Sequence, residues 1–205
     1  LAAAYAAGTP VWSEVELASR AMSNPIMGIT GTNGKTTTTE LLAHVLRAGG
    51  LDAVACGNVG TPMAGLVGQV AGDTWLVAEC SSFQLEDIPS FRPHAAVLLN
   101  VTPDHMDRYP DFDAYRQAKL NLFSHQGAHD LAILPAGMTA PGGAPTRHLG
   151  QGGDTGPDVV SWAGGGLHVR GLGLVAPWEQ IPLRGAHNRE NVMAAAAMAA
   201  HAGLG

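Results

Sequence analysis

Cationic side chains, cysteine and long apolar runs are all scarce in this sequence. Eleven Lys and Arg against 17 Asp and Glu leave a formal net charge of -6 at pH 7. The broad basic surface that marks binding to a nucleic-acid backbone or an anionic membrane is therefore missing, and neither is expected as a partner. Any phosphate bound must be held locally and with a metal. The two cysteines, Cys56 and Cys80, have neither metal-site spacing nor the density of a disulfide scaffold, which points to reduced thiols in the cytoplasm. No apolar run approaches the length of a membrane span, and Leu1 to Thr9 carry no basic segment of a secretory signal. There is no internal repeat. What is present, 205 residues of which 46% are hydrophobic, suffices for a substantial core in one large domain or one domain with an appendage.

The most informative stretch runs from Ile26 to Thr37 and reads as a short apolar strand, a glycine loop and a helix start. Gly31 and Gly34 let the backbone turn tightly and present N–H groups to an anion, and the helix that follows adds the positive end of its dipole. Thr32 and Asn33 complete the loop. Lys35 would reach the β- and γ-phosphates and the Thr36 hydroxyl would bind Mg²⁺, with Thr37 next to it. The usual phosphate loop has a further glycine where Ile29 stands, so a plain strand-turn-helix corner with a surface lysine is the competing reading. Leu41, Leu42, Val45 and Leu46 on one helix face and Gly49-Gly50 as a stop favour the functional one.

Elsewhere strands and helices alternate. Residues 1–24 read as the end of a preceding α/β unit, with a strand at Thr9 to Trp12 and a helix from Ser13 to Met22 whose Ser13-Glu14-Val15-Glu16 has the capping-box form. Strands are predicted at Asp52 to Cys56, Thr74 to Glu79 and Ala95 to Asn100, with a short helix from Pro62. The pattern predicts an α/β fold, a mostly parallel sheet with helices on both faces. Ligands in such sheets sit at the carboxyl ends of the strands, where Thr30, Asn58, Glu79 to Ser82 and Asn100 to His105 gather.

A helix begins near Asp111 or Asp113 and carries Phe112, Tyr115, Lys119, Leu122 and Phe123 on one face. Lys119 in mid-stripe either snorkels past the core edge or points into a site. Residues 136–158, rich in Gly, Pro and Thr, read as an exposed loop. Val159 to Ala163, Leu167 to Arg170 and Leu172 to Val175 read as a small antiparallel addition, and an alanine-rich helix from about Asn188 to His201 closes the chain.

Taken together, Gly31-Thr32-Asn33-Gly34-Lys35-Thr36-Thr37, Gly57-Asn58-Val59-Gly60, Glu79 to Glu86, Asn100 to Tyr109, Tyr115-Arg116-Gln117-Ala118-Lys119 and His187-Asn188-Arg189-Glu190-Asn191 resemble the central ATPase domain of the Mur ligases. Ser-Ser-Phe-Gln-Leu-Glu and Asp-His-Met-Asp-Arg-Tyr are similar to the branch that adds D-glutamate to UDP-N-acetylmuramoyl-L-alanine in peptidoglycan synthesis. The resemblance implies two steps: a carboxylate takes the γ-phosphoryl group of ATP, and an amine then displaces phosphate. It implies that Thr36 and Glu79 hold one Mg²⁺ and that Lys35 offsets phosphate charge. By the same resemblance His105 and Lys119 would hold a second Mg²⁺, Lys119 only if carbamylated, since an ammonium cannot ligate a cation. Asn58, Ser81 and His105 resemble contacts to the muramoyl substrate, and Asn188 and Asn191 the adenine-binding pair.

Each residue has a plainer reading as well: a capping or surface acid for Glu79, a loop histidine for His105, ordinary turn chemistry for Asn58, an N-cap and a packed amide for Asn188 and Asn191. The resemblance covers about residues 25–205 and implies a monomer. It also implies that residues 1–24 end a UDP-binding domain and that an amino-acid-binding domain lies outside these residues. A nucleotide-binding module without ligation, and a folylpolyglutamate-type ligase, are the alternatives.

Overall fold

The computed structural model describes residues 1–151, 160–163, 165–170 and 172–205. In chain order it contains α1 (Ala2–Ala6), α2 (Glu14–Ala21), β1 (Ile26–Thr30), α3 (Lys35–Ala48), β2 (Ala53–Gly57), β3 (Trp75–Glu79), β4 (Ala95–Leu98) and α4 (Phe112–Leu120). There follow β5 (Leu131–Ile133), β6 (Thr146–Arg147), β7 (Leu149–Gln151), β8 (Val160–Ala163), β9 (Gly166–Val169), β10 (Gly173–Pro177) and α5 (Ala186–His201). Six strands pair in the order β2-β3-β1-β4-β5-β6, and every pairing is parallel. Because β3 and β4 flank β1 on opposite sides, a crevice opens beyond the carboxyl end of β1, between the segments that leave its two neighbours.

Alternation along the strands divides the core into two layers. Met27, Ile29, Val77, Ala95 and Val97 join Leu42 and Leu46 of α3 and Met193 and Met198 of α5 on one face. Ile26, Leu76, Ala78, Ala96 and Leu98 face Val15 and Ala18 of α2, Met63, Leu85, Phe91 and Phe123 on the other. Complete burial of a Leu or Met contributes roughly 1.5–3 kcal/mol, so the β1 core suffices to fix where the loop after it emerges. The first face is covered by two long helices. The second is covered by α2 and by 3-10 turns at Met63–Leu66, Gln84–Glu86 and Asn121–Phe123. Gly28 makes this second packing possible, because a Cβ there would stand 2.8 Å from Leu122 Cδ1.

Several expectations differ in detail. Thr9 to Trp12 is irregular rather than a strand; its neighbourhood is tied down by Tyr5, whose hydroxyl donates to Asp87, and by Ser13 N–H donating to Asp87 O at 2.9 Å. Ser13 does cap α2 through Glu16 N–H, but the capping box is only half made. The Glu16 carboxylate is fully buried and accepts instead from Ser90 N–H at 3.1 Å and Arg20 Nε at 2.6 Å, so it joins α2 to the segment between β3 and β4 rather than to its own cap. The helix expected from Pro62 is a single 3-10 turn.

Within 136–151, Ala140 and Ala144 are buried and Thr146–Arg147 and Leu149–Gln151 are strands, so this part is no open loop. The rest of that expectation, residues 152–158, and the first residue of the strand expected at Val159 to Ala163 lie outside the described residues. The small sheet runs β10-β9-β8-β7: its β8, β9 and β10 are antiparallel as expected, and β7 adds in parallel.

Candidate active site at the phosphate loop

Hydrogen bonds within the chain fix the loop after β1. Thr32 N–H donates to Asn100 O at 3.0 Å, Asn33 N–H donates to the Asn100 side-chain oxygen at 2.9 Å, and Asn100 Nδ2 returns a bond to Asn33 O at 3.0 Å. Thr102 N–H donates to the Thr32 hydroxyl at 3.1 Å. Residues beyond β4 thus hold the loop open across the crevice. Gly34, immediately before α3, has φ +86°, a conformation that costs a side-chain-bearing residue about 1–3 kcal/mol. A Cβ there would also collide with the side-chain oxygen of Asn191, from the buried part of α5. Asn191 therefore borders the loop.

At the start of α3 the exposed Thr36 hydroxyl donates to Glu79 Oε2 at 2.7 Å, and Asn58 Nδ2 donates to Glu79 Oε1 at 3.2 Å. Glu79 is only 2% exposed, so it is a carboxylate fixed at a strand end and not a surface acid. Thr37 is exposed on the same helical turn. Lys35 folds back, its ammonium donating to Gly31 O at 3.1 Å and Thr32 O at 3.0 Å. Both acceptors are loop carbonyls that a phosphate oxygen can replace as the partner of the ammonium.

Lys119 settles the choice left by its position on the stripe: it is 2% exposed, points inward and donates to the same Gly31 O at 2.9 Å. Its ammonium lies 4.6 Å from the centre of the Tyr115 ring. Burial, and next the charge of Lys35, push its pKa down to about 8. His105 stands apart from it. Its imidazole lies 6.2 Å from the Tyr115 ring and 4.9 Å from Phe83, with Asp104 at 3.6 Å, and among the described residues no hydrogen bond joins it to Lys119. Both border the ring of Tyr115.

Ser81 is occupied within its own turn, donating to Gln84 Oε1 at 3.0 Å and accepting from Gln84 N–H at 3.3 Å. Asn188 is not an N-cap: α5 begins two residues earlier, and its amide donates to Arg184 O at 2.7 Å and accepts from Asn191 Nδ2 at 3.1 Å. The adenine-binding pair proposed from sequence is thus a coupled pair, one member against the loop. Both cysteines are free and buried, and burial pushes the Cys56 thiol up to about 12, which fits two inert thiols.

Sequence reasoning did not single out Asn100 as the latch of the loop, although it stood in a recognised motif at a strand end. It also passed over Tyr115, whose hydroxyl meets Thr32 Oγ1 at 3.3 Å. The position of Tyr115 one turn before Lys119 on the same stripe was the available signal.

A loop latched to Asn100 and Thr102, with a lysine and a hydroxyl at its exit and a buried acid on the adjacent strand, gives this α/β domain a candidate phosphate site. The Mur ligase middle domain model matches residues 29–199, and the chain belongs to that family. It is 38% identical over 210 residues to the UDP-N-acetylmuramoylalanine–D-glutamate ligase of Pelotomaculum thermopropionicum, covering 98% of this chain and 46% of that protein. The ligase of the same name from Anaeromyxobacter dehalogenans is 43% identical over 216 residues, covering 94% of this chain and 45% of the relative. The chain therefore spans about half the length of the relatives it matches. Among solved structures, the MurF ligase of Thermotoga maritima in complex with ADP superposes with a TM-score of 0.66 over 94% of this chain and 49% of that one, at 19% identity, a likeness of fold.

Proposed function

We propose that this chain is the ATP-binding part of a ligase that adds D-glutamate to UDP-N-acetylmuramoyl-L-alanine in the cytoplasm, for the synthesis of peptidoglycan. The observation that carries the ATP reading is the Thr36–Glu79 contact at 2.7 Å beside a phosphate loop whose lysine is bonded to the loop carbonyls of Gly31 and Thr32. The choice of substrate rests on the names of relatives at 38% and 43% identity.

In this reading the muramoyl-alanine carboxylate attacks the γ-phosphorus of ATP, the bond to the β,γ-bridging oxygen breaks, and ADP leaves behind an acyl phosphate. The amine of D-glutamate then attacks the acyl carbon, phosphate departs with its bonding pair, and the amine loses a proton. Several anionic oxygens converge in the first step, so fixed positive charge is the main requirement. Lys35 would leave the carbonyls of Gly31 and Thr32 for the phosphates; with the N–H groups of Thr32 and Asn33 already given to Asn100, the unpaired N–H groups of the first turn of α3 would supply the remaining donors.

Mg²⁺ supplies the remaining charge neutralisation when bound. Thr36 and Glu79 fit it, since a hydroxyl and a carboxylate already in contact make the sparse protein share of a site completed by phosphate and water. His105 and Lys119 would hold a second ion, with Lys119 carbamylated. A buried amine with its pKa near 8 has the neutral fraction needed to add CO₂ and lose a proton, and its neighbourhood fits that modification. Asn188 and Asn191 would meet the adenine and Asn58 and Ser81 the muramoyl substrate. The amine site belongs to the part of the relatives that this chain does not span, and the assembled ligase works as a monomer.

Titration calorimetry of this chain with ATP and Mg²⁺ tests the reading. Lys35→Ala should weaken binding by roughly 1.5–3 kcal/mol, the range for a hydrogen bond to a charged group. Equal affinity for both proteins would overturn it.

A further inference from the structure

Among the described residues, His105 is the one non-glycine with a positive φ, at 53°. A histidine in that conformation is uncommon and must be held there by its surroundings. Its own turn supplies part of the hold, with Arg108 N–H donating to His105 O at 3.0 Å and Tyr109 N–H to the same oxygen at 3.2 Å. Asp104 adds to it by accepting from His105 N–H at 2.9 Å, and a further carboxylate reaches the turn from a different segment. Arg108 Nη2 donates to Glu86 Oε2 at 2.7 Å and Nε to Oε1 at 3.4 Å, while the Tyr109 hydroxyl donates to Glu86 Oε1 at 2.5 Å. Burial first, and then the bond to Glu86, push the Tyr109 phenol up to about 12, so it stays a donor across the working pH range.

The turn that carries Glu86 also carries Phe83, whose ring lies between the Arg108 guanidinium at 4.6 Å and the His105 imidazole at 4.9 Å. The turn itself is anchored by fully buried Leu85, whose carbonyl accepts from Asn121 Nδ2 at 3.0 Å. It follows closely on Glu79. One short segment therefore joins the strand bearing the buried acid to the loop bearing the histidine.

We propose that Glu86 is a positioning residue: by clasping Arg108 and Tyr109 it fixes His105 in its strained backbone conformation at a set distance from the Glu79 side of the crevice. This rests on the reading that His105 serves the phosphate chemistry. Glu86 touches neither the loop nor Lys119, so its effect should fall on His105 and not on nucleotide affinity.

The test uses Glu86→Gln and Glu86→Ala, with Tyr109→Phe and Arg108→Gln reaching the same clasp from its other side should the first pair fail to fold. Histidine-ring NMR of this chain, with His105 assigned through His105→Asn, should show the resonance losing its shift from the Phe83 ring. Calorimetry should show ATP affinity close to wild type. In the full-length ligase carrying these residues, kcat should fall about 10- to 100-fold, the usual cost of losing a group that orients a functional side chain, with KM for ATP near wild type. An unmoved His105 resonance in the folded variants, or a moved one with unchanged kcat, overturns the proposal. A wild-type chain without ATP affinity would instead bring down the functional reading on which it rests.

Discussion

The two sides of the crevice are held by different physics. On the side of β1 and β3, Thr30 and Glu79 are 0% and 2% exposed and hydrogen-bonded, and the loop is latched by Asn100. Farther along the segment beyond β4, past the Asn100 latch, the side chains of His105 and Asp104 are 46% and 47% exposed, and their loop is tied back by surface charge. The first side is pre-formed because regular elements end there. The second is a strained turn whose geometry depends on a clasp that water and salt can compete with. In the proposed reading, a rigid cradle for the phosphates stands beside a more yielding histidine loop.

The sharpest way to break this contrast is to damage the rigid side at its tightest point. Gly34→Ala meets both the positive φ and the Asn191 side chain, and should destabilise the chain by about 2–5 kcal/mol while removing measurable ATP binding. His105→Ala should leave both nearly unchanged. Urea unfolding and calorimetry on the pair check this, and equal damage from the two would erase the distinction.

Lys119 links the sides, and its shifted pKa predicts a pH signature. A lysine near 10.5 when unfolded and about 8 when folded binds fewer protons in the native state between those values, so stability rises with pH through that window. Below pH 8 the full penalty of the buried charge applies. The stability difference between wild type and Lys119→Met should climb by about 3 kcal/mol from pH 8 to 10.5, at 1.36 kcal/mol per pKa unit. A flat difference in denaturant titrations across that range would place the ammonium in a wetter setting.

A smaller effect is expected from Glu79→Gln. The amide keeps an oxygen for Thr36 yet loses the charge, so the Mg²⁺-dependent part of ATP affinity should fall about tenfold while the Mg²⁺-free part stays level. Calorimetry with and without Mg²⁺ separates the two, and an equal loss in both would remove Glu79 from metal binding.

The strands and the phosphate loop were legible because their signals are local: apolar runs bounded by turn residues, glycines at fixed offsets, a helix stripe. Lys119 stood out for the same reason, a charge in mid-stripe. What could not be read is long-range or conformational. Nothing local to Asn100 says that it will latch Asn33, and no glycine marks the positive φ at His105. Ser13 to Glu16 shows a local motif losing to tertiary structure, since the Glu16 carboxylate gains more from Ser90 and Arg20 than from closing its own capping box.

Asn188 marks the weak end of the comparison, because the coupled pair it forms with Asn191 reaches from the surface to the rigid loop. Its own side chain is only half-buried and joins Arg184 O to the Asn191 amide, whereas Asn191 is 4% exposed and lies against Gly34. Removing Asn188 leaves water to replace one partner, and Asn188→Ala should cost about 0.5–1.5 kcal/mol of stability, the net worth of an ordinary hydrogen bond. Asn191→Ala removes a buried amide from the back of the loop and should cost more, with a visible loss of ATP affinity. Thermal unfolding with and without ATP ranks them. If Asn188→Ala weakened ATP binding as much as Asn191→Ala, the outer amide would be a direct nucleotide contact and the rigid side of the crevice would extend farther along α5 than its burial indicates.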